Sequence, residues 1–130
     1  MLPYERFAAW QLCHELTMAV YRATRSFPKE ETYGLTAQAR RAAFSTAASI
    51  AEGSAKRGSR EFLRYLDIAL GSLSELSYTL RLANELNLLA AKDWEELSAL
   101  RARAGFLTWR LYEQMGGKQR SRAGEARARS

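Results

Sequence analysis

The chain has 130 residues, 47% apolar and 26% charged, with two prolines and one cysteine, which is the make-up of one globular domain able to bury a core. No apolar run approaches the ~18 residues of a membrane span, the N-terminus lacks the basic-then-apolar order of a signal peptide, and the lone Cys13 excludes an internal disulfide and fits a buried thiol in a reducing cytoplasm. Of the net charge of +6, residues 118–130 supply +4 (five basic residues, one acid), leaving +2 (15 basic, 13 acidic) for the rest.

Helix 1 is predicted from near Pro3, a residue tolerated in a first turn. Phe7, Trp10, Cys13 or His14, Thr17 and Val20 or Tyr21 follow at helical steps, and Ser26-Phe27-Pro28 ends the run. Helix 2 is expected from about Gly34-Leu35-Thr36 to Lys56, with Lys56 and Arg57 in its last turn and Gly58 as its left-handed stop. Ser59 then caps helix 3. Phe62, Leu66, Ala69, Leu73, Leu76, Leu80 and Ala83 alternate steps of four and three, the seam of a long helix packed lengthwise on others. Helix 3 should end near Asn87. Helix 4 should start at Asp93, carry Trp94, Leu97, Leu100, Ala104, Leu107, Leu111 and Met115 inward, and close at Gly116-Gly117.

Short connections between long helices make neighbours antiparallel. The predicted fold is all-α, an antiparallel up-down-up-down four-helix bundle over residues 1–116. A disordered basic tail over 117–130 is expected to follow. The alternative architecture is a three-helix core with one helix swapped between subunits.

Helix 2 has two apolar faces. Leu35, Ala39, Ala42, Thr46, Ile50 and Gly53 form a small-residue stripe suited to the core. Ala37, Phe44, Ala48, Ala51 and Ala55 lie opposite, with Arg40, Arg41 and Glu52 beside them. A helix apolar on two sides is covered on two sides, so this second face is expected to pack on another subunit. The alternative is that the alanines only favour helix and Phe44 is a single exposed aromatic.

The ordered motifs Phe27-Pro28-Lys29-Glu30-Glu31-Thr32-Tyr33-Gly34-Leu35-Thr36, Gln38, Arg40-Arg41-Ala42-Ala43, Ile50-Ala51-Glu52-Gly53, Glu61-Phe62 and Ala69-Leu70-Gly71-Ser72-Leu73-Ser74-Glu75-Leu76 resemble a known family. It is the four-helix-bundle family of proteins encoded by intervening sequences in 23S ribosomal RNA genes, related to the accessory variability-determinant proteins of diversity-generating retroelements. The likeness covers about residues 4–112. Where the family often has Pro-Ser-Asn before Ile-Ala-Glu-Gly, this chain has Ala47-Ala48-Ser49, which should leave helix 2 straighter. The resemblance implies a homo-oligomer, typically a ring of five, without enzymatic activity. It also implies nucleic-acid binding and, by the retroelement relatives, a reverse transcriptase as partner.

Arg40, Arg41, Lys56, Arg57, Arg60 and Arg64 lie on helix 2, its following turn and the start of helix 3, and are the candidate nucleic-acid-binding patch. Their competing roles are helix-end stabilisation and, for Arg41, pairing with Glu52 or Glu75 at an interface. The expected oligomer interface comprises Ala37, Phe44, Ala48, Ala51, Glu52, Ala55 and Glu75. The tail could add a flexible phosphate-seeking arm or serve only solubility. His14, the one histidine, has no second His or Cys to complete a metal site. Glu52, Asp67 and Glu75 lack the company of a catalytic constellation. Trp10, Tyr21, Tyr65, Trp94 and Trp109 could stack bases if exposed beside cations, but helical spacing favours packing. The expected protein is a non-enzymatic oligomer that binds RNA or DNA through a basic surface, needing no cofactor or metal. The alternative is a protein–protein adaptor that binds no nucleic acid.

Overall fold

The computed structural model describes residues 1–129. Four helices make up nearly all of it: α1 (Ala8–Thr24), α2 (Leu35–Ser54), α3 (Ser59–Glu85) and α4 (Ala91–Arg129). Short 3-10 turns at Pro3–Arg6 and Lys29–Glu31 precede α1 and α2. The helices contact one another in the cycle α1–α2–α3–α4–α1, a four-helix bundle. Among the described residues there is no strand, and no helix is long and apolar enough to cross a membrane.

Side-chain pairs give the register. Between α2 and α3, Arg41 meets Glu75, Ser45 meets Ser72 and Gly53 meets Tyr65. Between α1 and α2, Thr17 reaches Ala43 and Thr24 reaches Arg40. Between α1 and α4, Cys13 meets Thr108 and Arg22 faces Glu96. In each pair of helices one number rises as the other falls, so these neighbours run antiparallel.

The core follows from the three-four spacing. All seven α3 seam residues, Phe62, Leu66, Ala69, Leu73, Leu76, Leu80 and Ala83, are buried. From α2 come Ala39, Ala42, Ala43, Thr46, Ile50 and Gly53, whose small side chains let two helix backbones approach closely. Leu97, Ala104, Leu111 and Met115 close the core from α4. On α1 the open alternatives resolve inward at Cys13 and Val20, both fully buried, and outward at His14 and Tyr21. The Cys13 thiol lies 3.7 Å from the Thr108 hydroxyl, and burial pushes its pKa up.

Three boundaries differ from expectation. The N-terminal helix is interrupted: Phe7 is extended (φ −84°, ψ 123°) between the Pro3–Arg6 turn and α1. Ser59 does not cap α3; Gly58 holds the cap position, and the Ser59 hydroxyl donates instead to Gln119 Oε1 at 3.0 Å. The third difference is the largest. Helix 4 does not stop at Gly116-Gly117, and the stretch expected to be a disordered tail continues it to Arg129. Two helical glycines cost about 1 kcal/mol each relative to alanine. Residues 118–129 hold four Arg and three Ala, with Gly124 the one further glycine and no proline, so helix formers outweigh the glycine and the helix continues. Because Ser59, the first residue of α3, meets Gln119, the last turns of α4 project past the end of the bundle.

Candidate nucleic-acid interface

The α2–α3 turn sets the geometry of the bundle end. Backbone amides of Ala55 and Lys56 donate to the carbonyls of Glu52 and Gly53 and close α2. Gly58 then reverses the chain at φ 83°, ψ 157°, a conformation in which a side chain is strained. Lys56, Arg57 and Arg60 are thereby held together, all exposed, at one end of the molecule. The Lys56 ammonium lies 5.7 Å from the centre of the Tyr65 ring, and the Arg64 guanidinium 4.8 Å from the same centre. Arg64 also faces Glu61 at 3.6 Å. Arg57 and Arg60 have no ion-pair partner among the described residues.

Arg40 and Arg41 do not belong to this group. They lie fifteen or sixteen residues before Lys56 on one helix, about 23 Å away along its axis. Arg40 is half-buried: its Nε donates to Thr24 Oγ1 at 2.9 Å, its Nη2 to the Tyr21 carbonyl at 3.4 Å, and its guanidinium lies 4.8 Å from the Tyr21 ring centre. It ties α2 to the C-terminal turn of α1. Arg41 is bound by Gln38 and by Glu75, at 2.8 Å from Glu75 Oε1. Both arginines serve the bundle's own packing, so the six-residue patch expected from sequence divides into two groups.

The structure adds three cations to the bundle end. Arg6 of the first turn and Lys118 and Arg122 of the prolonged α4 join Lys56 around a cleft of about 520 Å³. Ser54, Gly58, Ser59 and Phe62 form much of its remaining wall. Four cations from three separate segments thus surround one cleft, and no carboxylate lines it. Such a site attracts phosphate groups by charge. The signal for Lys118 and Arg122 was the helix-forming composition after Gly117. For Arg6 the sequence carried no signal, because only the fold brings it beside the α2–α3 turn.

The model of the 23S rRNA-intervening sequence protein family matches residues 5–105. The chain belongs to that family. No curated protein matches it. The family match takes in α1, α2, α3 and the first part of α4, while Lys118 and Arg122 lie beyond it.

The second expected face of this family member is α2's outward side. Phe44 is 60% exposed there; Ala37 and Ala55 are exposed and Ala48 and Ala51 half-buried. With Trp10, Met18 and Tyr21 of α1, Phe44, Ala48 and Ala51 border an apolar groove of about 440 Å³. The Trp10 ring stacks on His14 at 5.0 Å, so that histidine serves the groove wall. Glu52 is exposed beside this face. Glu75 is exposed and pairs with Arg41 of its own chain. Trp10, Tyr65 and Trp94 pack half-buried, whereas Tyr21 and Trp109 are exposed. Among the described residues no three His, Cys, Asp or Glu side chains converge on a point that could hold a metal ion.

Proposed function

We propose that this protein is a non-enzymatic homo-oligomer that binds RNA or DNA through its phosphates, without reading sequence, at the basic end of each bundle. The observation that carries the reading is the cleft in which Arg6, Lys56, Lys118 and Arg122 converge with no carboxylate among them, and with Arg57 and Arg60 exposed alongside. A cleft lined by one sign of charge concentrates counter-ions, here the phosphates of a polyanion, which relieve the repulsion among its cations. The apolar α1–α2 groove around Phe44 supports assembly, and the family resemblance implies a ring of five. A ring repeats one modest phosphate site around an axis, raising affinity by multivalency rather than by new contacts. In a cytoplasmic setting, which the buried Cys13 thiol fits, such a ring would hold nucleic acid for a separate nucleic-acid enzyme; by resemblance to the retroelement accessory proteins, a reverse transcriptase is the partner to test.

A titration of labelled RNA and DNA with the full chain at two salt concentrations tests this. Binding that weakens steeply with salt is the expected result. No binding at low salt would leave the apolar groove as the chain's main working surface and make it a protein–protein adaptor.

A further inference from the structure

The outward face of α4 carries features that neither the core nor the end cleft uses. Phe106 is 59% and Trp109 49% exposed, on adjacent turns of the helix. Trp109 stacks on Tyr112 with ring centres 5.5 Å apart, which steadies the indole while about half of its surface stays exposed. The Arg110 guanidinium lies 5.8 Å from the Phe106 ring centre, and Arg103, one turn before Phe106, is exposed. Between Glu96 and Glu113 this helix has three arginines and no acid. Exposed rings interleaved with arginines on a rigid helix are what a single nucleic-acid strand needs: flat surfaces for unpaired bases and cations for the phosphates between them.

The face also connects to the basic end. Arg6 and Phe7 line the cleft between α1 and α4 that contains Arg110, and both residues line the basic cleft as well. From Arg103 to Arg122 is about 28 Å along α4, with one exposed acid, Glu113, between them. Duplex bases are already stacked and paired, so rings can add little to duplex binding; their benefit falls to a single strand. The arginines of this face suit a polyanion better than a second copy of a chain that itself carries a net charge of +6.

We infer that the Phe106–Trp109 face of α4, flanked by Arg103 and Arg110, is a stacking platform for single-stranded RNA or DNA that continues the phosphate track of the end cleft. This rests on the nucleic-acid reading above and names its preferred form, the unpaired strand.

The test uses the full-length protein and two labelled probes, a short oligothymidylate and a duplex of the same length, in a salt series. The double variant Phe106→Ala, Trp109→Ala is expected to bind the single strand about tenfold or more weakly, with its salt slope and its duplex affinity unchanged. The conservative pair Phe106→Tyr, Trp109→Phe should bind the single strand as the wild type does. Arg103→Gln with Arg110→Gln should instead lower the single-strand salt slope by about 1.4. Single-strand affinity within twofold of wild type in the alanine variant, beside intact duplex binding, overturns the platform alone. A change in sedimentation of that variant would assign the face to a second copy and also overturns it. A wild type that binds neither probe overturns the nucleic-acid reading together with the platform.

Discussion

Gly53 of α2 lies so close to Tyr65 of α3 that a Cβ on the glycine would stand 2.5 Å from the tyrosine Cβ and 3.0 Å from Phe62 Cδ1. This contact brings α2 and α3 together just before the turn that carries Lys56, Arg57 and Gly58. In an open helix, Gly→Ala would stabilise by about 1 kcal/mol. Here the helices must part or the side chains must leave their rotamers, and overpacking of this kind costs about 1–3 kcal/mol. Gly53→Ala is therefore expected to lower stability on balance and to weaken nucleic-acid binding by displacing the turn. Urea unfolding checks the first effect. A midpoint at or above the wild-type value would contradict the close contact.

Arg40 and Arg41 are sequence neighbours with separate roles. Arg40→Ala removes two hydrogen bonds and a ring contact at a half-buried site, with an expected loss of about 1–2 kcal/mol. Arg41→Ala removes an exposed ion pair, with an expected loss under about 1 kcal/mol. Neither should change the salt slope of nucleic-acid binding, because neither faces the end cleft. Thermal unfolding and a salt titration on the same two variants check both statements.

Phe44→Glu places a charge on the apolar α1–α2 groove at an exposed position, so the isolated bundle should keep its stability within about 0.5 kcal/mol. The assembly should not survive it. Sedimentation of the wild type as an oligomer and of the variant as a monomer is the expected outcome; a wild type that sediments as a monomer at micromolar concentration contradicts the interface.

Cys13 provides a pH test. Burial raises its pKa above the ordinary 9.0, the Thr108 and Thr46 hydroxyls only partly offsetting this. The folded chain thus keeps the thiol proton to a higher pH than the unfolded chain does, and unfolding in alkali releases it. Its contribution is fully present below about pH 9 and declines as pH rises through and beyond the unfolded value. The stability difference between wild type and Cys13→Ala should therefore shrink above pH 9, measured by urea unfolding at several pH values. A constant difference from pH 7 to 10 would contradict a protonated thiol in the core.

The helices and the core were legible because a three-four apolar repeat has one structural meaning when it is as long as Phe62 to Ala83. The α2 core stripe was readable for the same reason. The site was less so. Arg40 and Lys56 look alike in sequence, and only the position of Thr24 and Tyr21 across the α1–α2 contact shows that Arg40 is taken. Arg6 reaches the cleft through a tertiary approach that no local pattern encodes. The glycine pair at 116–117 reads as a stop because glycine commonly ends helices, yet the residues after it are strong helix formers, and Ser59–Gln119 holds the continuation against the bundle. Trp109 shares the helical spacing of core aromatics, and only its exposure distinguishes it.

The convergence of Arg6, Lys56, Lys118 and Arg122 on one phosphate-binding cleft is tested most directly by replacing all four with glutamine and measuring binding to a labelled single strand across a salt series. If the four contact phosphates, the slope of log Kobs against log salt should be shallower by about three than in the wild type. Equal slopes in the two proteins would contradict it.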